Sequence, residues 1–443
     1  MAQDLNRDTN KKTQGPVRRA LQNAGWLLAG KGVGGVFSLI YMGLVARSLG
    51  AEQFGIFALI LAYVQAIAAL AKFESWQTVI RFGAVHLEQD NIPRLRRVLN
   101  FSTFLDLGSA VIGAMIGILG VYVVGSALSW SETDQTIAAY SCLLLLFNIR
   151  GTPLGILRLY DRFDIAAFAE AVLPSMRLVG ALLAWAIDAS VASYMLVWVV
   201  AELVTALAIW WAALRELRLR TAKRPATSIW DLKNVRAENK GIWPFAWTTN
   251  LDFSLKQVWK HLPVLVVGWS VDVIAAGGYR IASNLVNGLS KPSMALAWAL
   301  FPELARLSVT DPSQIQIVVR KTTAASTVAG AIAFLLTIVF GQYAIWLLGG
   351  PDFAFAYPIL LLLALAAMFE LCGLTLESAL VALGFPGAML ILRCIVGATY
   401  AVLLFSVVPA FGTFGAAYVA IACSVFLLLL VLAKFRAITA SGH

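Results

Sequence analysis

The sequence predicts an all-α integral membrane protein: twelve transmembrane helices in two six-helix lobes related by a parallel repeat, arranged as a V around a central cleft. Three observations predict it. Of 443 residues, 60% are hydrophobic and 13% charged, with a mean hydropathy of +0.80, whereas a soluble domain is about half apolar and a quarter charged. Apolar runs of about 20 residues, enough to cross a hydrocarbon core, recur along the chain. Shifting the sequence by 222 residues lays VARSLGAEQFGIF (45–57) over VGWSVDVIAAGGY (267–279). The match pairs Val45 with Val267, Ser48 with Ser270 and Gly55 with Gly277, with Phe57 over Tyr279.

The spans are expected near 20–45, 54–79, 98–125, 135–157, 164–187, 191–214, 241–268, 273–301, 321–349, 354–380, 384–408 and 412–433. The polar start gives way after Arg19 to an apolar run longer than the core of a secretory leader, so this run is expected to remain as the first span. With the N-terminus inside, the inner segments carry 25 Lys and Arg, among them Arg81, Arg150, Arg158 and Arg162, whereas the outer turns carry only Arg47. That asymmetry predicts two cytoplasmic termini. It also accounts for the net charge of +10 without nucleic acid. The longest inner segment, 215–240, is basic and divides an N-terminal lobe (1–214) from a C-terminal lobe (241–443). Six spans per half give both halves the same polarity in the membrane, hence a repeat axis along the membrane normal.

Eight Lys and Arg fall within the expected spans: Lys31, Lys72, Arg177, Lys256, Lys260, Arg280, Lys291 and Arg393. On span eight, Arg280, Asn284, Asn287 and Lys291 follow one another at i, i+4, i+7 and i+11, a narrow strip on one helix face. It extends for about 16 Å at 1.5 Å per residue, roughly half the hydrocarbon depth, so snorkelling from one end does not explain it. Span seven repeats the idea with Asp252, Lys256 and Lys260. In span one, Lys31 sits near mid-depth on a glycine-rich helix. A charge there costs about 3 to more than 10 kcal/mol unless water follows it, which places Lys31 on the cleft. The plainer reading pairs these cations with the acids of the same spans, Glu74, Asp106, Glu170, Glu202, Asp252, Glu370 and Glu377. Glu170 and Arg177 share a face of span five and suit a structural pair, and Glu370 with Glu377 share a face of span ten. No acid on span eight itself answers Arg280 or Lys291.

Catalytic and cofactor motifs are absent from the sequence: there is no HExxH, GxSxG or P-loop. The four cysteines, Cys142, Cys372, Cys394 and Cys423, lie scattered in apolar runs without metal-binding spacing and read as packing residues. No resident cofactor or metal is expected. Prolines inside spans, Pro153, Pro174, Pro263, Pro292 and Pro358, mark bends.

The residues LVARSLGAEQFGIFALI (44–60) and WQTVIRF (76–82), with GGYRIASNL (277–285) and ALFPELARL (299–307), resemble the polysaccharide transporter family of the multidrug/oligosaccharidyl-lipid/polysaccharide exporter superfamily. The resemblance covers essentially the whole chain. It implies a Wzx-type flippase of the bacterial inner membrane, moving undecaprenyl-pyrophosphate-linked oligosaccharide from the cytoplasmic to the periplasmic leaflet for O-antigen, capsule or exopolysaccharide synthesis. Its implied partners are the lipid bilayer, the lipid-linked oligosaccharide, a polysaccharide polymerase and a chain-length regulator. Lys31, Lys256, Lys260, Arg280 and Lys291 would then neutralise the diphosphate, and Asn284 and Asn287 would bond sugar hydroxyls. Relatives often carry an embedded carboxylate in span seven; Asp252 lies near the inner end, followed by two lysines, which weakens its claim to a coupling role. Two other functions stay open. One is a cation-coupled multidrug exporter using Glu370 and Glu377. The other is a polytopic polysaccharide polymerase or ligase, for which the chain lacks a large outer loop.

Overall fold

The computed structural model describes residues 16–221, 231–288, 312–383 and 385–440. Every regular element among them is helical, as a lipid solvent requires of a chain that does not close a barrel. Eight helical stretches of the described residues are long and apolar enough to cross a membrane. Two of these contain two crossings each. Helix Pro16–Ala71 reverses at Gly50 (φ 72°, ψ 177°) and Pro386–Ala440 at Gly412 (φ 60°, ψ −145°), conformations open to glycine and closed to residues with a Cβ. Ile242–Ser270 and the helical stretch 273–288 are more polar and complete the twelve expected spans. In order, spans one and two flank Gly50; three is Ile92–Ala127, five Phe163–Ile187, six Val191–Thr221, nine Pro312–Gly349 and ten Ala356–Ala382; eleven and twelve flank Gly412.

Two spans are broken where the sequence was read as continuous. Span two leaves the helix at residues 72–74 and resumes as Ser75–Glu88, nine residues beyond its expected end. Span four is built from Glu132–Ser141, Leu144–Phe147 and Gly151–Leu159. The last break has a physical cause in Pro153, which cannot donate to the carbonyl of Ile149. That carbonyl instead accepts from Trp210 Nε1 of span six at 2.8 Å. Span six also continues to Thr221, so the first seven residues of the expected linker are helical.

The twelve crossings return the chain to the side on which it starts, here called the near face. At the opposite, far face the two lobes share one buried cluster, with Tyr41, Phe54, Phe57 and Tyr194 from the first lobe and Val267, Tyr279, Phe353 and Leu360 from the second. Toward the near face the buried residues form smaller clusters. One belongs to spans two to six (Val79, Leu95, Ile156, Ile209) and another to spans nine to twelve (Val319, Leu380, Met389, Val431). A third joins Phe101 and Leu105 of span three to Ile242 and Ala246 of span seven, so the lobes also touch toward this face.

The far-face seal is built on close backbone approach. Gly55 and Gly277, paired by the sequence repeat, meet each other: a Cβ on Gly277 would lie 3.2 Å from the Cα of Gly55. A Cβ on Gly55 would fall inside the carbonyl of Val273. Small residues permit this approach, which in lipid replaces the hydrophobic effect as a source of association. Arg47 closes the rim, donating to the carbonyls of Leu347 (2.9 Å) and Trp346 (2.7 Å). At the near face, residues 231–241 fold back on the first lobe. Arg97 donates to both carboxylate oxygens of Glu238 (2.8 and 2.6 Å) and to Asp231 (3.3 Å), and His86 Nε2 pairs with Asn239 Oδ1 at 2.9 Å. The described part of the basic linker is therefore anchored through its acids. Cys142, Cys372 and Cys423 are buried as packing residues; Cys394 is exposed, which corrects that reading for one of the four.

Candidate functional site

Beneath the shared core lies a layer of charged side chains from both lobes. Glu202 of span six is buried at 3% exposure. Its Oε1 accepts from Arg177 Nη2 of span five at 3.0 Å, and its Oε2 stands 3.4 Å from Arg150 Nη2 at the break of span four. The Arg177 guanidinium lies 3.2 Å from the ring centroid of Trp198, whose edge packs on Tyr41. From the second lobe, Arg280 enters at 6% exposure, and its Nη2 donates to Gln65 Oε1 of span two at 2.7 Å. Tyr41 interacts electrostatically with both Arg177 and Arg280.

Two arginines thus share one carboxylate, and a third, Arg280, stands within electrostatic reach of Arg177. The Nε atoms of Arg150, Arg177 and Arg280 are all buried without a hydrogen-bond partner among the described residues. A buried donor left unpaired costs about 1–3 kcal/mol, more when charged. The cluster is short of acceptors and carries excess positive charge, so a multi-oxygen anion is the ligand chemistry that completes it.

On the second-lobe side, His261 has a buried, unpartnered Nδ1 and lies within electrostatic reach of Arg280 and Lys260. Lys260 in turn acts on Glu370, and both are exposed at mid-helix. Exposed charges at that depth need water beside them.

A second polar knot stands nearer the near face. Asp106 of span three, 4% exposed, accepts from Ser75 Oγ (2.5 Å) and from Thr152 N and Oγ1 (both 2.8 Å). It thereby accepts a backbone donor that the helix start at Gly151 leaves unpaired, and ties that start to the Ser75 hydroxyl at the resumption of span two. A Cβ on Gly151 would collide with Ser75 Oγ and approach Asp106 Oδ1 to 3.0 Å.

Of the residues singled out from sequence, Arg280 lies at this site, with Asn284 partly buried and Asn287 exposed farther along the same helix. Lys291 and the side chains of Lys31, Asp252 and Lys256 lie outside the described residues. Glu377 pairs with Arg393 at 2.5 Å, and Glu370 accepts from Ser424 Oγ at 3.3 Å. The expected Glu170–Arg177 pair is corrected: Glu170 stands 3.5 Å from Arg158 and Arg177 pairs with Glu202. Sharing a face seven residues apart puts two side chains on one stripe, and each found a closer charge on a neighbouring helix. Arg150, counted from sequence as an inner-segment charge, sits within the bundle. The signal for it was present in Gly151 and Pro153, which mark the break that turns it inward. Gln65, Tyr41 and Trp198 carried no signal, being ordinary residues of apolar helices.

A two-lobed bundle of twelve helices, sealed at one face and charged between its lobes, defines a membrane transporter. The chain belongs to the polysaccharide biosynthesis protein family, which it matches over residues 20–308. It is 28% identical over 346 residues to inner membrane protein YghQ of Escherichia coli K12, covering 78% of this chain and 97% of that protein. Its fold is that of an inward-facing multidrug resistance MATE family transporter of the MOP superfamily (TM-score 0.74, 13% identity, 92% of this chain and 96% of the other). It is also that of the lipid II flippase MurJ in an inward closed conformation (TM-score 0.68, 13% identity, 93% and 87%).

Proposed function

We propose that the protein flips an isoprenyl-diphosphate-linked oligosaccharide across the bacterial inner membrane by alternating access, in support of surface polysaccharide synthesis. The observation that carries this reading is the set of three arginines, Arg150, Arg177 and Arg280, whose buried Nε donors have no partner among the described residues, with one carboxylate, Glu202, on the first two. A diphosphate offers several charged oxygens to planar guanidinium forks, a match that neutral sugars or cationic drugs lack. Membership of the polysaccharide biosynthesis family and the fold shared with a lipid II flippase point the same way. With the near face cytoplasmic, both termini are inside, on the side where such lipids are made. Lys31, Lys256, Lys260 and Lys291 would extend the basic surface, Asn284 and Asn287 would meet the first sugars, and the isoprenyl chain would stay in lipid. The lobes are taken as 1–214 and 241–443, joined by 215–240.

The cation exporter is the weaker reading, because one of its acids is already answered: Glu377 pairs with Arg393, while Glu370 accepts from the Ser424 hydroxyl. The test is a reconstituted vesicle assay with a fluorescent isoprenyl-diphosphate sugar and a label quencher confined outside. Wild-type protein should expose the lipid to the quencher faster than protein-free vesicles. Arg280→Ala, removing a charged donor worth about 2 kcal/mol, should slow this roughly thirtyfold. Wild-type rates equal to those of empty vesicles would overturn the proposal.

A further inference from the structure

The diphosphate reading leaves Glu202 unexplained, since a buried carboxylate in the middle of an anion site opposes the cargo. Its geometry suggests a purpose. Each of its oxygens makes one contact, at 3.0 Å to Arg177 and 3.4 Å to Arg150, and neither arginine presents its two-donor fork. An arginine–carboxylate pair at full strength is bidentate. Glu202 Oε2 is also a buried acceptor without a hydrogen bond, so the carboxylate is held by charge rather than by fitted bonds. The arginine, by contrast, is fixed independently of its acid: the Trp198 ring, buried at 4% exposure, lies under the Arg177 guanidinium, an interaction that persists when the carboxylate leaves.

The two lobes contribute unequally. Arg150, Arg177 and Glu202 all belong to the first lobe, while Arg280 of the second is met by a neutral amide, Gln65. Arg177 and Arg280 are near enough to repel each other. Glu202 therefore neutralises one side of the site and does not bridge to the other.

We infer that Glu202 is a resident anion, a carboxylate that occupies the arginine site when it is empty and is displaced by the diphosphate of the cargo. The inference rests on the diphosphate reading above and adds an order of events to it. With Glu202 in place, the first-lobe arginines are screened and Arg280 meets the first lobe only through the neutral Gln65 amide. An incoming diphosphate takes Arg177 and Arg150 from Glu202 and reaches Arg280 with its remaining oxygens. The cargo then adds a charged link between the two lobes at this site. Such an arrangement also discriminates by reach: a monophosphate, with fewer charged oxygens, gains too little to replace a carboxylate already seated, whereas a diphosphate gains more contacts than it breaks.

The test measures binding of farnesyl diphosphate and farnesyl monophosphate to the full-length purified protein by calorimetry, for wild type, Glu202→Gln, Glu202→Asp and Arg280→Ala. Removing the competing charge in Glu202→Gln should tighten diphosphate binding about tenfold and monophosphate binding by more, narrowing the preference between them. A residue with a merely structural role would lose affinity when replaced, so a gain is diagnostic. Glu202→Asp keeps the charge but retracts it by one methylene and should bind with intermediate affinity; it decides the matter if the glutamine variant does not fold. Unchanged or weaker binding by both Glu202 variants, with Arg280→Ala still impaired, overturns the resident-anion role and leaves the diphosphate site standing. Wild type and Arg280→Ala binding the diphosphate equally overturns both.

Discussion

At the scale of single residues, Gly151 shows how one missing Cβ holds a polar knot together. Its place between Ser75 Oγ and the Asp106 carboxylate leaves no room for a methyl group, and those two side chains join the resumed halves of spans two and four. Gly151→Ala should destabilise the protein by about 1–3 kcal/mol, the range for overpacking a tight contact. Asp106→Asn should cost about as much by leaving one of its three donors without a charged acceptor. Thermal unfolding in detergent measures both, and melting indistinguishable from wild type would show that the knot is not formed. The same scale explains what of the site was legible. Arg280 stood out because, like Lys291, it lies on a helix with no acid of its own, and it is in fact met by an amide rather than a carboxylate. Arg177 stood out but was given the wrong partner, since helix periodicity reports which face a residue occupies and says nothing about the helix opposite. Arg150 was hidden among basic residues, because the break that places it depends on Trp210 accepting the role of hydrogen-bond donor to Ile149.

At the scale of elements, the twelve spans were readable because the bilayer imposes length and hydrophobicity together, leaving few ways to arrange an apolar chain. What sequence did not reveal were the interruptions. Residues 72–74 leave the helix without a proline or glycine to announce it, and the first residue of the resumed helix, Ser75, is held across the lobe by its hydroxyl on Asp106. The reversals at Gly50 and Gly412 are the converse, local and dictated by one residue. Nothing lies within 4 Å of the position a Cβ on Gly50 would take, so strain alone opposes a side chain there. Gly50→Ala should therefore cost about 1–2 kcal/mol. Lowered melting with retained binding of farnesyl diphosphate is the expected pattern, because the turn lies at the far end of its spans from the charged layer. Loss of binding in step with stability would instead mean that the turn sets the position of Tyr41 and Gln65.

At the scale of the whole molecule, the internal repeat becomes a contact. Gly55 and Gly277 were aligned because they occupy the same place in each half, and residues equivalent under a two-fold axis meet when they lie on it. Their backbones do meet, with Val273 and Phe54 on either side. The far-face seal is thus a property of the repeat. Under the proposed alternating access this seal must open and re-form, and a side chain at Gly55 would block re-formation. Gly55→Val should lower the rate of lipid flipping at least tenfold, to less than about a tenth of the wild-type rate, with the protein still folded. The cause is separable from general damage by a reporter: Ala276→Cys, buried at 0% exposure beneath the seal, in a background lacking the four native cysteines. With Gly55 intact the thiol should resist a membrane-impermeant maleimide added on the far side. With Gly55→Val it should react readily, because the valine side chain and the Val273 carbonyl cannot share one position and the lobes must part. Slow labelling in both backgrounds, together with normal flipping, would show that the lobes part elsewhere and that the glycine contact is packing without a role in the cycle.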